Sequence, residues 1–156
     1  METMEKESPV TVELVEKDGE QQPPKIRNVA VEIAGRKVPL RLTTRAVIRI
    51  EEEMDMDVEE LRQALNELKK KNTRAVVQSI RILGNEGLRL AGETADLTDD
   101  AVMDAVTPRE RVLYRVAALA AITKGMYMET DTSYEEKQDV VLNEILKKNT
   151  GSPAGS

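Results

Sequence analysis

Hydrophobic and polar residues alternate along residues 26–42, which is the pattern of β-strands with one buried face. The alternating apolar residues are Val29, Val31 and Ile33 in the first half and Val38, Leu40 and Leu42 in the second. Gly35 lies between the halves and tolerates the positive φ of a tight turn. The pattern predicts a β-hairpin whose second strand lies at a sheet edge, because Pro39 cannot donate a ladder hydrogen bond.

After residue 43 the apolar residues recur at helical spacing. The predicted helices span about 44–54, 58–71, 74–90, 99–106, 108–123 and 133–148. Residues typical of helix N-termini precede or open several of them, namely Thr43 or Thr44, Asp57 with Glu60, Thr107 with Pro108, and Ser133 with Glu136. Gly84, Gly87 and Gly125 are expected to break or end the helices in which they occur.

The helix predicted at 108–123 is apolar nearly all round, with the unbroken run VAALAAI at residues 116–122. A helix of this kind is buried on all sides. It therefore either occupies the centre of the core or contributes to both a core and an interface, and the sequence leaves both alternatives open.

Two tails flank the predicted domain. Residues 1–24 are rich in Glu and end in two prolines, so we expect a disordered acidic arm, although Val10, Val12 and Leu14 also alternate as in a strand. Residues 149–156 are expected to form a flexible tail. The fold class predicted for residues 25–148 is a single α+β domain, predominantly α-helical, with an N-terminal β-hairpin packed on about five helices.

Composition excludes several classes of protein. The chain has no Cys, His, Trp or Phe and three Tyr. Without Cys and His it lacks the usual thiolate nucleophile, the side chain that titrates near neutral pH and the commonest metal ligands. We therefore expect no enzyme, no cofactor and no metal. Few aromatic residues also argue against base stacking on nucleic acid.

The sequence also bears on localisation. No run of residues approaches the ~20 apolar positions that a membrane-spanning helix needs. The start of the chain, METMEKE, lacks the basic and then apolar pattern of a secretion signal. We expect a cytoplasmic protein that has no membrane partner.

Three local motifs have simpler explanations than a functional site. Residues 84–87 have the G-x-x-G spacing of a KH loop, but Glu86 would repel phosphate. Residues 55–66 resemble a calcium loop superficially but lack its Gly at the sixth position and its acid at the twelfth. The acidic runs at 51–53 and 99–100 do not form facing carboxylate pairs, because adjacent helical residues point to different sides.

Charge is segregated into blocks along the chain. Residues 1–24 carry seven acidic residues and two Lys, residues 25–50 carry seven basic residues and one Glu, and residues 51–60 carry seven acidic residues and no basic one. Neighbouring blocks either neutralise each other across the folded surface or allow the acidic arm to cover the basic 25–50 region until a partner displaces it.

The order of these elements resembles that of tail assembly chaperones from long-tailed phages and prophages of Gram-positive bacteria. The resemblance covers roughly residues 26–127. It is carried by the run VPLRLTTRAVIRIEE at 38–52 and by an alanine-rich helix that leads into ITKGM at 122–126. The long acidic arm before the hairpin departs from this pattern and leaves the role of residues 1–24 open.

The resemblance implies a protein that binds the tape measure protein, keeps it soluble, helps to recruit tail tube subunits and is absent from the finished virion. Within the chain we assign partner binding to Leu113, Val116, Leu119 and Ala120 for self-association and to Met126 and Met128 for client contact. Met adapts to varied partner surfaces. The alternative for Met126 and Met128 is that they close the end of the core.

Two other functions stay open. A small DNA-binding or regulatory protein would use a helix-turn-helix within 43–71, with Arg41, Arg45 and Arg49 on phosphates. The acidic run at 51–60 beside these arginines makes nucleic acid the less favoured partner. A structural tail or connector subunit is the third option, and it would remain in the particle.

Overall fold

A computed structural model describes residues 8–15, 25–67 and 71–127 of the 156-residue chain. Its strands are β1 (Val10–Val15), β2 (Lys25–Ile33) and β3 (Arg36–Pro39). Its helices are α1 (Thr44–Met54), α2 (Val58–Asn66), α3 (Thr73–Leu90), α4 (Asp99–Ala105) and α5 (Arg111–Tyr127). One antiparallel sheet packs against these helices, which confirms the predicted α+β, predominantly helical class with an N-terminal hairpin.

The sheet has the order β1-β2-β3, so β2 lies at its centre. The β2–β3 hairpin turns at Ala34 and Gly35, whose φ angles are 55° and 76°. In its register Val31 faces Val38 on the neighbouring strand, and both side chains are buried. The predicted hairpin and the edge position of the strand that contains Pro39 are thus confirmed.

Strand β1 corrects the prediction of disorder for residues 10–15 and confirms the strand that the alternation of Val10, Val12 and Leu14 indicated. Val10–Val15 pairs antiparallel with β2, with Val10 opposite Val31 and Val12 opposite Val29. The pairing supplies partners for the backbone of β1, and both valines pack against the core. A bulge interrupts the register between Glu13 and Leu14. The remainder of the predicted arm, apart from residues 8 and 9, lies outside the described residues.

The predicted helix starts at α1 and α2 are confirmed by their hydrogen bonds. Thr43 Oγ1 accepts from the backbone N–H of Ala46 at 3.1 Å. Asp57 Oδ1 accepts from the N–H of Glu60 at 2.7 Å, and Glu60 Oε1 accepts from the N–H of Asp57 at 2.9 Å. This reciprocal pair is a capping box, which satisfies two backbone donors that a helix start leaves open.

Other predicted helix boundaries need correction. The helix predicted at 58–71 ends at Asn66, after which Glu67 is extended. The side chain of Asn72 donates to the carbonyl oxygens of Ala64 and Glu67 at this end of the helix. Residues 108–110 form a turn before α5, which continues to Tyr127 and not only to 123. Helix α4 ends one residue early, at Ala105. The predicted helix at 133–148 and tail at 149–156 lie outside the described residues.

The expectation that glycines break the helices is wrong. Helix α3 runs unbroken through Gly84 and Gly87. A Cβ on Gly87 would lie 1.8 Å from the carbonyl oxygen of Pro39, so α3 contacts the backbone of β3 directly. A Cβ on Gly84 would lie 2.7 Å from Leu97 Cδ1, and one on Gly125, inside α5, 2.6 Å from Leu42 Cβ. These glycines allow helices to approach their neighbours closely.

A single core fills the space between the sheet and the helices. Its largest fully buried side chains are Tyr114, Val31, Ile33, Leu40, Ile50, Leu61, Leu65, Ile80, Ile82, Leu83, Leu88 and Ile122. The hydroxyl of Tyr114 donates to the carbonyl oxygen of Glu32 at 2.8 Å. Burial, with smaller effects from Glu110 and Glu32, raises the pKa of Tyr114 to about 12. Its phenol thus stays a neutral donor at physiological pH.

The two glycines of α3 give a matched test of this packing. Gly87→Ala places a methyl group against backbone and is expected to lower the free energy of unfolding by about 2 kcal/mol or more. Gly84→Ala meets side chains and no backbone, namely those of Leu97, Val38 and Leu40. Side chains can shift and alanine favours the helix, so we expect a smaller loss in the free energy of unfolding, of about 1 kcal/mol. Urea unfolding of both variants measures the difference. Equal losses of unfolding free energy in the two variants would contradict the close contact between Gly87 and the backbone of Pro39.

Candidate functional site

Three polar contacts fix the position of α5. Tyr114 is bonded to β2 through the carbonyl oxygen of Glu32. Arg115 Nη1 donates to the carbonyl oxygen of Leu65 on α2 at 2.8 Å, and Arg111 Nη1 donates to Asn72 Oδ1 at 2.6 Å. The helix therefore cannot rotate about its axis without losing buried hydrogen bonds, so the direction in which each of its side chains points is determined.

One face of α5 is buried and the opposite face is open. The buried face packs on β2 and α3, and its apolar residues are Tyr114, Ala117, Ala118, Ala121 and Ile122. Along the open face, residues recur at alternating spacings of four and three, namely Val112, Val116, Leu119, Thr123 and Met126. We call these residues, together with the adjacent Leu113, Ala120 and Tyr127, the α5 outer face. Such spacing places residues on one side of a helix, as in a coiled-coil seam.

The distribution of side-chain sizes on α5 is unusual for a helix in an isolated domain. Small alanines occupy much of the buried face, whereas most larger apolar side chains point outward. The larger members of the outer face are exposed by 37% to 62%, and they are Val112, Leu113, Val116, Met126 and Tyr127. Leu119 and Ala120 are half-buried. A contiguous apolar face of this kind is typical of a binding surface.

The structure brings together most of the predicted partner-binding residues. Leu113, Val116, Leu119 and Ala120 lie side by side on the outer face, and Met126 lies at its C-terminal end. Met128 lies outside the described residues. Of the two alternatives for the alanine-rich helix, the structure favours a core helix with one further face open.

Two members of the outer face were missed by sequence reasoning. Val112 and Thr123 continue the spacing of Val116 in both directions, and the helical period would have located them. Tyr127, which follows the predicted Met126 directly, also lies on this face, because α5 continues past its predicted end at 123.

An ion pair on α2 borders the C-terminal end of the outer face. Arg62 Nη2 lies 2.5 Å from Glu59 Oε2. The hydrogen bond from Arg62 lowers the pKa of Glu59, and a weaker hydrogen bond from Tyr127 acts in the same direction. Glu59 is therefore charged at neutral pH. The apolar face thus ends against a polar margin, as binding surfaces often do.

Two of the three arginines proposed for contact with DNA have acidic neighbours. Arg45 Nε lies 3.8 Å from Glu86 Oε2, and Arg49 Nη1 lies 3.4 Å from Glu53 Oε2. Glu53 also contacts Arg81. Because carboxylates compensate these positive charges, this side of the molecule lacks the concentrated positive charge that phosphate binding needs.

One groove of about 500 Å³ opens beside β2, β3 and the C-terminal end of α3. Its charged lining residues have both signs and are Glu13, Arg27, Lys37, Arg41, Glu93 and Lys124. Within the described ranges no group of three or more acidic, Cys or His residues is placed to hold a metal ion.

The candidate site is thus an exposed apolar surface on α5 and not a pocket. None of the described helices is both long and apolar enough to cross a membrane. Comparisons of the chain with protein families, curated proteins and solved structures gave no match. The α5 outer face is the candidate site because of the exposure and spacing of its residues.

Glu86, which is 3% exposed, links α3 to the start of α1. Its carboxylate accepts from Thr43 Oγ1 at 2.5 Å and from Arg89 Nη2 at 2.9 Å. The hydrogen bond from Arg89 has the largest effect on the pKa of Glu86 and lowers it below its ordinary value of 4.5. The hydrogen bond from Thr43 also lowers this pKa, whereas burial opposes both effects. The ionised form is therefore the one that stabilises the fold.

We expect Glu86→Gln to lose about 1–2 kcal/mol of unfolding free energy at neutral pH. A lowered pKa in the folded state contributes stability above the unfolded pKa and loses it as pH falls through the folded pKa. The deficit should therefore be full at pH 7 and shrink once the pH drops below about 4.5. Urea unfolding between pH 7 and pH values below about 4.5 measures this loss of unfolding free energy, and Glu52→Gln at an exposed position is the control. A deficit that does not change with pH would contradict the assigned role of the charge.

Proposed function

We propose that this protein is a non-enzymatic tail assembly chaperone of a long-tailed phage or prophage. It binds the tape measure protein, keeps it soluble and helps to recruit tail tube subunits. The observation that carries the proposal is the α5 outer face, an open apolar seam on a helix whose opposite side is buried in the core. The resemblance of residues 26–127 to such chaperones supplies the class of client.

The outer face is suited to a long helical client. Its alternating spacing matches the seam by which one apolar-striped helix packs along another. When the client covers an exposed Val or Leu, the binding free energy gains about 1 kcal/mol, because each Å² of apolar area removed from water contributes ~25 cal/mol. Many such contacts give adaptable binding without one deep pocket. Met126 at the end of the face adds a flexible side chain.

The charges on α1 argue against the DNA-binding alternative, and the protein content of the virion distinguishes the structural alternative. A DNA-binding protein needs open positive charge, whereas Arg45 and Arg49 lie next to carboxylates. A structural tail subunit would remain in the particle. A chaperone of the proposed kind works in the host cytoplasm and leaves before the virion is complete, so mass spectrometry of purified virions should not detect the chain.

Co-expression with the tape measure protein of the same phage tests the proposal. We expect the parent chain to be retained with the client and to keep it soluble. Val116→Asp should reduce retention about tenfold or more, because a carboxylate would have to be desolvated in the centre of the apolar contact. Quantitative pull-down from the soluble fraction measures both effects.

Ile48→Asp provides the matched control for this experiment. Ile48 is also β-branched and is 46% exposed, close to the 42% of Val116, but it lies on α1. Retention by this variant should stay within about twofold of the parent chain. An insoluble client with the parent chain would contradict the chaperone function, and equal losses in the two variants would contradict the choice of surface.

A further inference from the structure

The groove beside β2, β3 and the C-terminal end of α3 has a floor that crosses all three strands. Val29 and Val31 belong to the core, so Ala30 between them points to the opposite side of β2. Ala30 pairs with Thr11 on β1 and with Pro39 on β3, and all three residues line the groove. The floor is thus a row of compact side chains on the side of the sheet that faces away from the core.

Helix α3 supplies a wall of the groove. Gly87 and Leu90 line the groove from the last turns of this helix. The contact of Gly87 with the backbone of Pro39 fixes the position of this wall relative to the floor. Leu90 is 45% exposed, so it offers an apolar side chain that a ligand could cover. The groove is therefore preformed and partly apolar, as ligand-binding sites usually are.

Three cations line the groove without a partner in the described parts of the chain. They are Arg27, Lys37 and Arg41, and within those parts their side chains form neither an ion pair nor a hydrogen bond. Arg27 and Lys37 are exposed, and Arg41 is half-buried. A bound anion would gain charge-assisted hydrogen bonds from these cations without breaking an ion pair of theirs.

The two acidic residues of the groove have other partners. Glu93 lies 4.0 Å from Nη2 of Arg36. Glu13 accepts a hydrogen bond from the side-chain amide of Asn28 at 2.8 Å. Neither carboxylate therefore neutralises the three cations by an ion pair, and the groove keeps a surplus of positive charge.

The spacing of these groups matches an extended peptide. Lys37, Pro39 and Arg41 line the groove at alternate positions. The N–H of Leu40 donates to a carbonyl oxygen of β2 at 2.9 Å, which continues the pairing past the end of β3. Two residues of extended chain span about 7 Å, so Lys37 and Arg41 lie about 13 Å apart. An extended ligand presents every second side chain to one side at the same interval.

We propose that the groove binds an extended segment of a partner protein in which acidic, apolar and acidic residues occupy every second position. The two carboxylates meet Lys37 and Arg41, and the apolar side chain between them covers Leu90. Nucleic acid fits less well, because its phosphate at every unit would also meet Glu13 and because no lining residue is aromatic. The groove shares no residue with the α5 outer face, so this inference does not depend on the proposed function.

An NMR titration of the isotope-labelled full-length chain with the peptide acetyl-Glu-Ser-Leu-Ser-Glu-amide tests the proposal. We expect the largest changes at backbone amides that line the groove, such as those of Thr11, Ala30 and Lys37. The uncharged peptide acetyl-Gln-Ser-Leu-Ser-Gln-amide should bind about tenfold more weakly. The peptide acetyl-Glu-Glu-Leu-Ser-Ser-amide has the same composition but a different spacing, and it should bind at least about threefold more weakly.

Two charge reversals provide matched variants for this titration. Lys37→Glu should weaken binding of the first peptide about tenfold, because it places a carboxylate beside that of the ligand. Lys71→Glu changes the net charge equally and should stay within about twofold of the parent chain. Lys71 is exposed and precedes α3, whose other end borders the groove about 25 Å away. The amide spectra of both variants verify that they are folded.

Four results would overturn the proposal. Equal losses of affinity in Lys37→Glu and Lys71→Glu would mean that the peptide responds to the net charge of the chain. Equal affinity for the two acidic peptides would contradict the extended register. No change at the groove amides with peptide on the order of millimolar would exclude the groove as the binding site. Tighter binding of an oligothymidylate at the same amides would assign the groove to phosphates.

Discussion

The close contact between α3 and β3 is the constraint on which the rest of the structure depends. Helix α3 contacts each of the other four described helices as well as β3, so its position sets theirs. Gly87 lets the helix approach the carbonyl group of Pro39, and the N–H of Arg41 donates to the carbonyl oxygen of Leu83 at 3.1 Å. Helix and strand therefore meet backbone to backbone. A larger residue at Gly87 would move the helix outward, and every element that packs on it would have to follow.

Helix α5 serves the fold and the proposed function with opposite sides. Alanines at 117, 118 and 121 face the interior, where they let the helix lie close to the sheet and α3. Larger residues such as Leu113 and Val116 face outward. A monomer gains most stability by burying its larger apolar side chains and exposing its small ones. Apart from the buried Tyr114 and Ile122, α5 has the reverse arrangement, which is the main structural support for the proposal of a partner on its outer face.

Features determined by residues close in sequence could be predicted, whereas those determined by distant contacts could not. Thr43 and the pair Asp57 and Glu60 cap their helices within one turn, so the starts of α1 and α2 were predicted correctly. The end of α2 depends on the side chain of Asn72, and β1 depends on pairing with β2. The site was only partly predictable for the same reason. Apolar residues occur on nearly all sides of α5, so its period indicates the buried side only weakly, and the hydrogen bonds of Arg111, Tyr114 and Arg115 fix which side is exposed.

The two edges of the sheet differ from its centre in a way that affects assembly. A bulge at Glu13 and Leu14 interrupts the regularity of β1, while β3 is short and ends in a proline. Such edges are poor templates for strand addition. Backbone pairing between copies of the chain is therefore disfavoured at both edges of the described sheet, which leaves the exposed side chains of the helices as the surface better suited to reversible contacts.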